Sequence, residues 1–256
     1  MKYFLISCLF LTYVVNGQRS QFGVYGLLDF PSSNLMPNMS NCIGIGGTFS
    51  MKPKEFFPLA IELDLSHSFN SGKNFNFSTS QFYGKSTNYS INYRTHFNTY
   101  LLGLKWTLGK DYHILNGFLT PQIGLASFNT TMDYPDFYHD HDHDQDFDYK
   151  STKFQTSVIP VYGGRVGVEI SLNNLFQKNN KNDDRIQLSV NYLRGFTDLS
   201  YVNLNNMNIQ PDESGRFKPE ILNFPKNSVV TQNNFSELYK TKLSLLGVQI
   251  GYVIRF

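Results

Sequence analysis

The chain predicts an all-β fold, an eight-stranded antiparallel up-and-down transmembrane β-barrel. Three observations predict it. The last eleven residues alternate, with Leu246, Val248, Ile250, Tyr252, Ile254 and Phe256 on one parity and Gly247, Gln249, Gly251, Val253 and Arg255 on the other. A strand sends alternate side chains to opposite faces, so one face is apolar and the other small or polar, as a bilayer demands of a barrel wall. Similar segments recur along the chain. The connections between them alternate between short and long.

Residues 1–17 are expected to be a signal peptide: Lys2, then an apolar run from Tyr3 to Val15, then Val15-Asn-Gly17 as a cleavage site before Gln18. The run is too short for a transmembrane helix of about 20 residues. Residues 18–256 then form the barrel. They hold a single cysteine, Cys42, so no intrachain disulfide staples them. With Lys2 in the leader, the 22 basic residues become 21 against 20 acidic ones. That near neutrality gives no broad electrostatic case for nucleic acid. The 16% aromatic content suits strands and the aromatic girdles of membrane barrels.

The first strand is expected over 20–30, with Phe22, Val24, Leu28 and Phe30 on one face, and the second over 41–51, with Ile43, Ile45, Phe49 and Met51. In the third, 57–67, Leu59, Ile61, Leu63 and Leu65 alternate with Ala60, Glu62, Asp64 and Ser66. In the fourth, 97–108, Tyr100, Leu102, Leu104 and Trp106 alternate with Leu101, Gly103, Lys105 and Thr107. The fifth covers 114–128. The sixth, 156–172, sets Val166, Val168 and Ile170 against Arg165, Gly167 and Glu169. The seventh, 185–197, sets Ile186, Leu188 and Val190 against Gln187, Ser189 and Asn191, and the terminal strand is the eighth. The connections at 68–96 and 198–238 are the longest, and rich in Asn and Ser. Short turns belong to the periplasmic side of an outer-membrane barrel and long loops to the outside. An even strand count then places both termini in the periplasm, with Trp106, Tyr252 and Phe256 in the lower aromatic belt.

The polar parity carries Glu62, Asp64, Lys105, Arg165, Glu169 and Arg255. An eight-stranded barrel is just wide enough for side chains to fill. Charges enclosed there must pair. Glu62 and Lys105 are expected to do so, leaving no open pore.

With these strands laid out, the chain resembles the small outer-membrane β-barrel (porin-family) proteins of Bacteroidetes, and in architecture the OmpA and OmpX barrels. The residues that carry the resemblance are Gln21-Phe-Gly-Val-Tyr-Gly26, Phe118-Leu-Thr-Pro-Gln-Ile-Gly-Leu125, Tyr162-Gly-Gly-Arg-Val-Gly-Val-Glu169 and the terminal Gly251-Tyr-Val-Ile-Arg-Phe256. The resemblance implies that the barrel-assembly machinery reads the terminal strand, with Tyr252 and Phe256 as its signal. It implies no substrate and no cofactor.

Other motifs carry less chemistry. Tyr138-His-Asp-His-Asp-His-Asp-Gln-Asp146 could hold a divalent metal through His139, His141 and His143, because imidazoles suit Zn, Cu or Ni and carboxylates suit Ca or Mg. Alternate spacing in a loop fixes no coordination geometry, and a hydrated acidic tip accounts for the same composition. His67-Ser68 at the outer end of a strand invites a lipid-hydrolase reading, but no nucleophile signature surrounds it. Gly44-Ile-Gly-Gly47 and Gly163-Gly-Arg-Val-Gly167 precede no helix, so they read as strand glycines rather than phosphate loops. The expected function is non-enzymatic. The barrel is an anchor in outer-membrane lipid, and its long loops meet other envelope or surface proteins. A narrow pore or an accessory barrel of a type IX-like secretion system is the alternative, and a lipid-modifying enzyme the third.

Overall fold

The computed structural model describes residues 19–31, 41–52, 58–69, 73–82, 85–109, 113–135, 149–176, 183–202 and 238–255. Its strands are β1 (Arg19–Pro31), β2 (Cys42–Lys52), β3 (Leu59–Phe69), β4 (Lys73–Phe82), β5 (Lys85–Leu108), β6 (Leu115–Pro135), β7 (Tyr149–Ser171), β8 (Asp183–Val202) and β9 (Leu238–Arg255). A four-residue helix, α1 (Leu172–Leu175), follows β7. The strand order is β3-β2-β1-β9-β8-β7-β6-β5-β4, and β3 also pairs with β5. Every pairing is antiparallel, so eight strands close an up-and-down barrel with β4 left outside it.

The ninth strand is a departure from the sequence reading. The 68–96 connection contains β4 and the first half of β5. β5 changes partner along its length: Lys85–Tyr93 pair with β4, and His96–Trp106 pair with β3 to close the barrel. Strands β6 to β9 also run past their expected upper ends. Those extensions are rich in Asn, Ser, Thr and Asp, and strand propensity is too weak a signal to read there.

Alternation dictates the wall. Phe22, Val24 and Leu28 point out while Gln21, Tyr25, Leu27 and Asp29 are buried inside. Outward residues are apolar and bare, with Ile45 69% and Ile250 61% exposed. On β9 the outward run is Leu246, Val248, Ile250, Tyr252 and Ile254. Eight steps of about 3.3 Å, tilted by about 40°, make this band roughly 20 Å tall before side chains are added. A ring of exposed Leu, Ile, Val and Phe on that scale fits a bilayer's hydrocarbon core and would be poorly tolerated in water. Trp106 and Tyr252 lie exposed toward its lower edge, the end where Gln21 pairs with Arg255.

Two local devices shape the wall. Pro121 has no N–H, and the β5–β6 ladder skips Leu104 and Lys105 as it passes. Gly109, at φ 116°, turns the chain after β5, in the left-handed region that glycine adopts without strain.

Candidate functional site: a sealed lumen beneath a protruding rim

The lower half of the lumen is a charged network. Glu62, Asp64, Lys105, Arg165, Glu169 and Arg255 are all buried there, Glu169 at 0% and Arg165 at 1% exposure. Arg165 lies at the centre. It donates to Glu62, and through Nη1 to Asp64 Oδ2 at 2.8 Å and Gln249 Oε1 at 3.2 Å. Tyr25 Oη also donates to Asp64, as does Gln122 Nε2 at 3.3 Å. Lys105 donates to Glu169 and, at 3.2 Å, to Gln21 Oε1. Arg255 meets Glu169 at 2.6 Å, and Arg185 meets Asp183 at 2.5 Å. Lys105 and Arg165 both sit over the Phe118 ring, 4.8 and 5.7 Å from its centroid, a contact that favours cations. Lys105, Arg165, Arg185 and Arg255 thus face Glu62, Asp64, Glu169 and the half-buried Asp183, and Lys52 is buried at the foot of the same lumen.

The expected Glu62–Lys105 pair is present only at 3.9 Å, and each residue has a closer partner. The register explains this. Lys105 lies opposite Ala60 and Glu62 opposite Gly103, so the two are diagonal neighbours. The Lys105 side chain reaches across the lumen to Glu169 on β7 instead. Tyr25, Asp183 and Arg185 were not anticipated in this network. Extending the inward parity of β8 down from Asn191, Ser189 and Gln187 would have reached Arg185.

The upper half is mainly apolar, with Ser68, Thr95, Thr99 and Thr130 also buried in it. Phe97, Leu101, Ala126, Phe128, Ile159, Val161, Leu193, Leu199, Leu243 and Leu245 form one buried cluster. The Phe97 and Phe128 rings meet at 4.5 Å. A cavity about large enough for one water lies where the two halves meet, between Asp29, Asp64, Thr99 and Asn191 on one side and Leu27, Phe97 and Leu193 on the other. An ion crossing this lumen would meet first a salt-bridge network and then a mainly apolar cluster, both of which raise the cost of its passage.

Above the plug the wall is uneven. Pairing of β1 with β2 ends at Asp29–Cys42, and pairing of β2 with β3 at Ile43–Phe69. On the other side, β5–β6 continues to Asn92–Asp133, β6–β7 to Pro135–Tyr149 and β8–β9 to Val202–Leu238. From Asn129, just past the plug's Phe128, to Pro135 the strand rises roughly 20 Å along its axis. The β7–β8 ladder ends at Val161–Gly195, although Ser200 N still donates to Ser157 Oγ at 3.4 Å above it. Above that rung the ladders continue as a β4–β5–β6–β7 sheet and a β8–β9 ribbon. Among the described pairings, β4 and the Leu238–Ser244 stretch of β9 each keep one free edge.

His67 and Ser68 point to opposite faces. His67 is exposed on the outer wall, 2.6 Å from Asn98 Oδ1, with its ring stacked on His96. Ser68 is buried inside, 3.5 Å from Asp29 Oδ2. Adjacent strand residues cannot form a nucleophile–base pair across the wall that separates them. His139, His141, His143 and Phe256 lie outside the described residues.

No protein-family model matches the chain, and no curated protein matches it in sequence. Among solved structures, it is similar to Ail, the attachment invasion locus protein of Yersinia pestis, in complex with the heparin analogue sucrose octasulfate. The identity is 9% over 94% of this chain and 99% of that one, with a TM-score of 0.44. It is also similar to Neisserial surface protein A (NspA), 9% identical over 94% of this chain and 98% of that one, with a TM-score of 0.36. The barrel assignment itself rests on strand order and closure.

Proposed function

We propose that this chain is a non-enzymatic integral protein of a Gram-negative outer membrane, with both termini periplasmic. The barrel is the anchor, and the protruding strands with their loops are the working surface that meets other envelope or surface proteins. The observation that carries this reading is the tall side of the rim. Strands continue well beyond the apolar band, and among the described pairings β4 and the Leu238–Ser244 stretch of β9 each keep one free edge; such an edge is a template on which an extended partner segment can add a strand. The Tyr252–Phe256 end is the proposed signal to the barrel-assembly machinery. The filled lumen weighs against the alternative of a narrow pore. The opposed His67 and Ser68 weigh against a lipid hydrolase at that position.

Cysteine labelling on intact cells tests the arrangement. A membrane-impermeant maleimide is expected to label Asn74→Cys on β4 and to leave Asn174→Cys on α1 unlabelled until the cells are lysed. The reverse pattern would invert the topology. Planar bilayers containing the purified barrel are expected to show no steady single-channel current. Steady currents would favour the pore, and co-purification with secretion components the accessory-barrel role.

A further inference from the structure

Among the described residues, the outer wall carries two exposed arginines at the top of the apolar band, Arg94 and Arg194, and they differ. Arg94 on β5 is neutralised by Asp133 at 3.7 Å. Arg194 on β8 is exposed, and its register neighbours are Tyr162 on β7 and Ser244 on β9, neither of them a carboxylate. Higher on this face, Lys242 and Asp198 lie opposite each other, and Lys153 on β7 is also exposed.

The surroundings of Arg194 are those of a membrane interface. Directly below it on the same face come Tyr192, Val190 and Leu188, all exposed. Tyr162 and Phe196 pack with ring centroids 4.6 Å apart. Aromatic rings of this kind mark headgroup level in membrane barrels. Ser244 Oγ donates to Tyr192 Oη at 3.2 Å, which leaves the Tyr192 hydroxyl proton free for an outside acceptor. An unneutralised guanidinium and a neighbouring phenol above an oily wall are complementary to a phosphate whose lipid chains lie along that wall. Guanidinium binds phosphate through two parallel hydrogen bonds.

We propose that Arg194, with the Tyr192 hydroxyl, binds the phosphate of a phosphorylated lipid headgroup in the outer leaflet. The proposal rests on the membrane-embedded reading above and adds a specific lipid contact to it. The test uses the folded full chain in detergent micelles. Native mass spectrometry reads the occupancy of bisphosphorylated lipid A and of the same lipid with its phosphates removed. Wild type and Arg94→Gln are expected to prefer the phosphorylated lipid by about tenfold or more, the scale of one charged hydrogen-bonded contact. Arg194→Gln is expected to lose that preference and to keep its weaker binding of the dephosphorylated lipid. Retained preference in Arg194→Gln, or none in wild type, would overturn the site. Displacement of the lipid by millimolar inorganic phosphate would overturn the lipid as occupant. Failure of the membrane reading looks different, since the folded chain would then stay monodisperse in buffer without detergent.

Discussion

The two halves of the lumen are held by opposite physics inside one continuous wall. The lower half packs buried cations against carboxylates, each dependent on its partners because an unpaired charge at that depth is very costly. The upper half is held mainly by a cluster of aliphatic and aromatic side chains, which needs shape complementarity rather than charge partners. The same barrel is thus closed twice, below by ion pairing and above by packing. The difference teaches that a filled lumen need not be uniform. Losing either closure alone should leave the other intact.

Variants can break that contrast. The largest effect is expected from Arg165→Met, which leaves Glu62 and Asp64 without their main cation. Breaking a buried pair on one side typically costs about 3–5 kcal/mol, readable as a shift of the urea midpoint for folding in lipid vesicles. Combining it with Glu62→Gln and Asp64→Asn should recover part of that loss. A triple variant no better than the single one would mean that the shape of Arg165, rather than charge balance, holds the lower half.

In the upper half, Phe97→Ala is expected to cost about 3–5 kcal/mol, the usual range for emptying a buried aromatic site. No charged partner should rescue it. Its bilayer conductance should stay at zero because the network below is untouched. Current through this single variant would show that the lower closure does not seal.

Gly46→Ala is a smaller perturbation between the halves. A methyl there would run into the Tyr25 ring, with Cε2 only 2.6 Å away. Tyr25 is fixed by its hydrogen bond to Asp64. Overpacking of this kind costs about 1–3 kcal/mol, and Tyr25→Phe should relieve little of it, since the ring remains.

The barrel was legible because its lower half alternates cleanly. Ile61, Leu63 and Leu65 against Glu62 and Asp64 leave one reading of which face meets oil. The apolar plug was not legible. In Tyr100-Leu101-Leu102, Val158-Ile159-Pro160-Val161 and Leu243-Ser-Leu245-Leu246, apolar residues fall on both parities, and a segment oily on both sides carries no period. β4 and the upper part of β5 were hidden for the opposite reason, their many Asn and Ser residues reading as loop.

The sequence by itself determined the closed β architecture, the outward apolar band and the residues available to the lumen, because a period of two assigns every side chain to a face. Only the tertiary structure decided that Lys105 reaches Glu169 rather than Glu62, that a second closure lies above the first, and that one side of the rim stands tall. Those outcomes depend on strand register and on distances across the lumen, and alternation along a single strand contains neither.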